Sequence, residues 1–274
     1  MRMPIASTAW MLAAMGVLPG ILPAAESSQQ RGKHIIDEAV AALGGQNFLQ
    51  MRDRVETGRA YQFYRERLSG LAIAHIYTRY LTRPEPPVAG FVGLRERQTF
   101  GKDQSGAIVF NESGEGFELT WRGARPLPDE TLARYKDSTL HNVLYILRMR
   151  LGEPGLTFDS QGSDVRENQP VEIVDITDAD NRTVTVLFNR SSKLPVYQTY
   201  KRRNPSDKQW DIEVTRFSKY RDVGGGVMWP FAVERERNGE KIFEMYADSI
   251  SVNKDLKDDL FTLPANMKIL KKSK

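Results

Sequence analysis

The sequence predicts an α+β protein that is mainly β, built on a long antiparallel sheet with one wet face. Three observations predict it. Apolar residues alternate along the C-terminal half: Val184, Val186 and Phe188, then Trp210, Ile212 and Val214, then Trp229, Phe231 and Val233. A period of two buries one face of each strand and leaves the other in water, as in an antiparallel sheet solvated on one side. Turn-forming Asp, Asn, Ser and Gly separate these runs, and Asn238-Gly239 between two alternating runs is the strongest short-range hairpin signal. Apolar residues at helical spacing occur at 31–43 and again within 126–151, so helices are present but are the minority.

Residues 1–25 stand apart from this fold. Met1-Arg2-Met3-Pro4 carries one positive charge, a charge-free apolar run extends from Trp10 to Leu22, and Pro23-Ala24-Ala25 precedes Glu26. That order is the layout of a secretory signal peptide. The run is short for a membrane span, and Pro19-Gly20 interrupts it. A cleaved signal is expected, with an uncleaved amino-terminal anchor as the rival. Residues 26–274 then read as one domain, since no repeat or low-complexity linker divides them.

The elements follow in order. Ile36, Ala39, Val40 and Leu43 stripe a helix over 31–43, which Gly44-Gly45 closes, and Phe48, Leu49 and Met51 make a second short turn. A strand rich in β-formers runs over 55–65, including Phe63. Leu68-Ser69-Gly70-Leu71 reads as its hairpin turn, and 72–81, with Ile73, Ile76, Tyr77 and Tyr80, as the return. Pro84-Glu85-Pro86-Pro87 is a stiff break, followed by strands near 94–100, 107–110 and 116–121. Pro126 to Glu130 opens a helix predicted to continue to Leu151, striped by Leu140, Val143, Leu144, Leu147 and Leu151, with Arg148 and Arg150 at its favoured cationic end. Gly152-Glu153-Pro154-Gly155 ends it. Six strands are expected beyond, at 171–177, 183–189, 195–201, 209–220, 227–237 and 241–252, while 162–164 reads as a polar loop.

Composition removes several function classes. The chain has 274 residues, no cysteine and a net charge of +4. Thiol catalysis, zinc–cysteine sites, disulfides and a lipid-anchored cysteine are excluded, and the interspersed charge gives nucleic-acid binding little support. His34, His75 and His141 lie apart, without metal-ligand spacing, and read as structural. No Gly-x-Ser-x-Gly elbow occurs. No catalytic residue, metal site or cofactor is therefore expected. Asp175, Asp178 and Asp180 fit turn chemistry better than a calcium loop, and Gly224-Gly225-Gly226 leads into a strand rather than a helix N-terminus. Arg52, Arg54, Arg59, Arg65, Arg67 and Arg79 admit two readings: contacts for an acidic head group or partner, or the solvated face of a sheet. Lys268, Lys271, Lys272 and Lys274 read as a solvated tail, with a membrane surface as the alternative.

The apolar strand faces also have two readings. They form either the core beneath a helix or the wall of an open cavity that shelters a lipid; each sheltered methylene is worth about 0.8 kcal/mol. The candidate lipid-contacting residues are Phe63, Ile73, Val184, Val186, Phe188, Trp210, Ile212, Val214, Trp229, Phe231 and Val233 on strands, and Leu140, Leu144 and Leu147 on the helix.

Four stretches carry a resemblance: the helix at 36–45, the strand, polar turn and Leu194-Pro195 at 181–196, the glycine turn leading to Trp229-Pro230 at 220–230, and the closing Phe261-Thr262-Leu263-Pro264 of 253–264. Together the pattern resembles the LolA/LolB-like outer-membrane lipoprotein-sorting family of periplasmic proteins. The resemblance implies an incomplete β-barrel, a curved antiparallel sheet covered on its concave side by helices, with an apolar cavity inside. It further implies a periplasmic, non-enzymatic carrier of lipid or acylated lipoprotein, with membrane-associated donor or acceptor proteins as partners, and the helix from Leu140 to Leu151 as lid. Arg59 and Arg65 are the candidates for the arginine that latches the family's lid. The alternative is an envelope sensor or interaction module whose core is filled by its own side chains.

Overall fold

The structure, a computed structural model, describes residues 26–82, 92–101, 106–111, 114–205 and 207–272. The expected signal segment, the Pro84–Pro87 break and Lys274 lie outside the described residues.

Helix α1 (Ser28–Ala42) opens the fold. It begins three residues before the predicted start at residue 31, because Ser27 and Gln30 form a reciprocal cap: the Gln30 amide donates to Ser27 Oγ (3.1 Å) and the Ser27 amide to Gln30 Oε1 (2.9 Å). The one-turn α2 (Gln46–Leu49) follows. Thirteen strands then make one antiparallel sheet: β1 (Asp53–Tyr64), β2 (Arg67–Tyr80), β3 (Leu94–Phe100), β4 (Gly106–Phe110), β5 (Gly116–Thr120), β6 (Gly123–Pro126), β7 (Thr157–Arg166), β8 (Gln169–Thr177), β9 (Thr183–Asn189), β10 (Pro195–Arg203), β11 (Trp210–Asp222), β12 (Met228–Arg237) and β13 (Glu240–Val252).

The strand order is β6-β5-β4-β3-β2-β1-β13-β12-β11-β10-β9-β8-β7. Two meanders are thus sewn together where β1 pairs with β13, for instance Ala60 opposite Met245. The sheet is curved and does not close, since β6 and β7 are its two edges. The chain must cross from one edge to the other between them. It does so as α3 (Asp129–Leu140) and α4 (Val143–Tyr145), the latter continuing as a wide π turn over Ile146–Arg150. The tail shields the β6 edge, where Ala124 donates to the Lys268 carbonyl (2.9 Å) and accepts from Leu270 (2.8 Å).

Four expectations are corrected. The helix predicted over 126–151 is broken: Asn142 leaves the helical conformation and its side chain caps the Tyr145 amide at 3.1 Å, starting a second helix. Its predicted first residue, Pro126, instead ends strand β6, and the helix starts at Asp129. The hairpin after β1 turns at Arg65-Glu66 rather than at 68–71, with both residues at positive φ (49° and 60°) as a two-residue turn requires, while Gly70 pairs with Gln62 inside the strands. Residues 162–164 lie within β7, an edge strand whose polar, exposed sequence hides its pairing with β8.

The main core lies between α1, α2, α4 and the inner faces of β8 to β12. Ile36, Ala39, Phe48, Val143, Leu147, Val174, Ile176, Val184, Val186, Phe188, Phe217, Trp229 and Phe231 meet there. Gly32 brings α1 onto β7 directly, since a Cβ at that position would collide with the Phe158 carbonyl. A buried ion cluster anchors the crossover. Arg150 binds Glu153 (2.7 Å) and Asp178 (2.7 Å), and its Nη1 donates to the Leu140 carbonyl (2.7 Å). Asp178 also organises its own turn, accepting from the Asp180 and Arg182 amides at 3.0 Å each, in keeping with turn chemistry at that residue. Burial works against the Asp178 carboxylate, but the hydrogen bonds from Arg150 and Arg182 outweigh it and hold its pKa below the usual range.

Candidate functional site

The helices fill only part of the concave face. Beneath α3 and α4, on the inner faces of β1, β2, β3, β12 and β13, the sheet leaves a cavity of about 280 Å³. Register explains the vacancy. The inward positions here carry small residues, Ala60 opposite Met245 and Ala74 opposite Gly58, where β8 and β9 carry Val174, Ile176, Val184 and Val186. Ile76, Leu94, Phe100, Phe217, Val233, Phe243 and Met245 complete an apolar wall, and Leu144, Tyr145 and Trp229 separate it from the closed core.

One side of the cavity is polar and buried. Arg54, Thr78 and Glu96 stand side by side on β1, β2 and β3. Arg54 lies over the Trp229 ring, 4.4 Å from its centroid, and donates to Tyr80 Oη (3.0 Å) and Thr78 Oγ1 (3.2 Å). Glu96 accepts from Gln98 (2.6 Å) and Thr78 (3.4 Å). Burial raises the pKa values of Glu56 and Glu96, while the Arg54 guanidinium opposes the shift of both. Tyr135 reaches the cavity from α3, its ring stacked on Phe110 at 3.5 Å, and burial together with Glu96 pushes its phenol well above the ordinary tyrosine range.

The candidate residues from the sequence divide three ways. Leu144, Trp229 and Val233 line the cavity. Val184, Val186, Phe188, Leu147 and Phe231 are locked into the filled core, and Leu140 packs with Leu94, Tyr145 and Met149 in a small cluster beside it. Phe63, Ile73, Trp210, Ile212 and Val214 stand on the outer face of the sheet, which corrects their expected inward placement. Ile73 pairs with Arg59, out of phase with inward-facing Ala74 and Ile76. Phe63 lies under the Lys241 ammonium, 5.6 Å from its ring centroid, while Lys241 binds Glu234 at 2.8 Å. On β11 the inward residues are Asp211, Glu213, Thr215 and Phe217, so the run Trp210, Ile212, Val214 faces outward, with Trp210 and Ile212 58% and 46% exposed. Arg59 and Arg65 do not reach the interior either. Arg59 binds exposed Asp248 (3.3 Å), Arg65 sits in the hairpin turn, and Arg54 is the β1 arginine on the cavity wall.

The histidines are placed by packing. His141 is buried, stacked on Tyr200 at 4.1 Å and 2.8 Å from the Asp137 carbonyl, and burial lowers its pKa. His75 meets Thr57 at 3.1 Å on the outer face.

No family model and no curated protein matches the sequence. Solved structures do match in fold. The chain is similar to a domain described as an outer membrane lipoprotein-sorting protein from Vibrio parahaemolyticus, at 11% identity and a TM-score of 0.56, covering 85% of this chain and 97% of that one. It is also similar to a DUF1329 family protein from Desulfovibrio piger (10% identity, TM-score 0.58, 84% and 97% covered). A LolA superfamily protein from Nitrosomonas europaea aligns at 11% identity with a TM-score of 0.52, over 84% and 97%. At such identities the likeness is one of fold: this chain has the LolA-like open sheet.

Proposed function

We propose that this chain is a periplasmic, non-enzymatic binder or carrier of lipid or acylated lipoprotein, taking an acyl chain into the cavity between the concave sheet and α3–α4. One observation carries the reading: the inner face of β1–β3, β12 and β13 is concave, apolar apart from one polar wall, and left unfilled by the helices above it. Moving ten methylenes from water into such a space is worth about 8 kcal/mol, at ~0.8 kcal/mol each. The neighbouring fold is associated with lipoprotein sorting in the protein from Vibrio parahaemolyticus, which agrees with this use. Membrane-associated donors or acceptors of the cargo are the partners this role requires. The rival reading, a module with a self-filled core, describes the β8–β11 half of the sheet and leaves the cavity unexplained.

The test is native mass spectrometry of protein purified from an envelope fraction, beside titration with a fluorescent fatty-acid probe. Co-purifying lipid and saturable probe binding are expected. A bare protein that also fails to bind the probe contradicts the reading.

A further inference from the structure

The polar wall is out of place in a cavity that holds hydrocarbon alone. Buried polar groups cost free energy unless they are hydrogen-bonded, and nearly all such groups in proteins are. On this wall two are not: Arg54 Nε and the Tyr135 hydroxyl are buried without a hydrogen-bond partner. Glu56 Oε2 lies 3.5 Å from Arg54 Nε, an ion pair without a hydrogen bond. The Thr139 hydroxyl donates to the Tyr135 carbonyl at 2.8 Å and forms no hydrogen bond with the Tyr135 hydroxyl. Both groups can donate a hydrogen bond that neither makes, one on the sheet side of the cavity and one on the helix side, and both residues line the same space.

We propose, building on the carrier reading, that this wall is a head-group site for an acyl chain ending in an uncharged carbonyl, an ester or an amide, whose oxygen accepts from Arg54 and Tyr135. A carbonyl oxygen has two lone pairs and adds no charge. A free carboxylate also accepts, but it would bring a third negative group beside Glu56 and Glu96, where burial already disfavours ionisation. The Arg54 charge is moreover already opposed by Glu56, and its guanidinium is held against Trp229 and by Thr78 and Tyr80, so the free Nε–H is fixed in direction.

The experiment is displacement of N-phenyl-1-naphthylamine from the delipidated protein by 1-monooleoylglycerol and by oleate at pH 8. The ester is expected to bind about tenfold more tightly than the acid. Tyr135→Phe, which deletes one neutral hydrogen bond and keeps the stacked ring, is expected to weaken 1-monooleoylglycerol about fivefold. Arg54→Lys keeps the cation, removes the Nε donor and is expected to give a loss in the same direction. Oleate binding as tightly as the ester, or 1-monooleoylglycerol affinity unchanged in both variants, overturns the head-group site while the dye still reports a working cavity. Failure of the dye and of both lipids to bind overturns the carrier reading, and this inference with it.

Discussion

Filling the cavity from the sheet side separates an open pocket from a packed core by the sign of a stability change. Ala60 is 5% exposed, lies at the centre of β1 opposite Met245 and lines the cavity of about 280 Å³. Ala60→Leu adds three carbons that project into that space. If the space is empty, each buries apolar surface at ~0.8 kcal/mol, so the delipidated protein gains at most about 2.4 kcal/mol. In a domain of this size that raises the midpoint of thermal unfolding by roughly 5–10 °C. If the wall were packed, the same carbons would strain it and cost about 1–3 kcal/mol. Urea unfolding of delipidated wild type and variant, with probe titration of both, reads the outcome. A more stable variant that binds the probe less tightly is expected. A destabilised variant, or a stabilised one with undiminished probe affinity, refutes the reasoning.

Three further outcomes follow from the same geometry. Arg150→Met removes the guanidinium that Glu153 and Asp178, both 2% exposed in their side chains, share, with Arg182 still bound to Asp178, and should cost about 3–5 kcal/mol in urea unfolding; a change below 1 kcal/mol would deny that the cluster anchors the crossover. Burial raises the pKa of Glu96 above its unfolded value, so stability is fullest below the ordinary glutamate range and is lost as pH rises through the folded pKa. Glu96→Gln keeps an acceptor for Gln98 and should therefore be more stable than wild type at pH 8, with the advantage shrinking towards pH 4; an advantage that grows on acidification contradicts the assignment. Replacing outward-facing Trp210 by Ser together with Ile212 by Thr should leave probe affinity within twofold of wild type, and a larger loss in titration would move the binding surface to the outer face.

The sequence was most legible where helices pack on the sheet. Along β9, Val184, Val186 and Phe188 alternate because α1, α2 and α4 bury one face completely. It misled where the inner face is a cavity wall. There the inward positions of β1 are Arg54, Glu56, Gly58 and Ala60; beyond the cavity, the inward positions of β11 likewise begin with polar Asp211, Glu213 and Thr215. Polar inner residues reverse the apparent pattern, so Phe63, Ile73, Trp210, Ile212 and Val214 read as the buried face when they are the outer one. The small inward residues Ala60 and Ala74 were the available signal of vacant space, since an inward alanine on a long strand leaves volume that a partner must supply. Break points were hidden for local reasons: Asn142 interrupts an unbroken leucine stripe through its capping side chain, and β7 pairs through its backbone with little apolar sequence to announce it.

The most direct test of the cavity as binding site is methyl NMR of the delipidated protein titrated with 1-monooleoylglycerol. Nuclear Overhauser contacts from the acyl methylenes to the methyls of Ile76 and Met245, which line the cavity, are expected, with none to Ile73 and Ile212 on the outer face. Contacts confined to Ile73 and Ile212, or saturation of binding without any contact to Ile76 and Met245, would contradict the account.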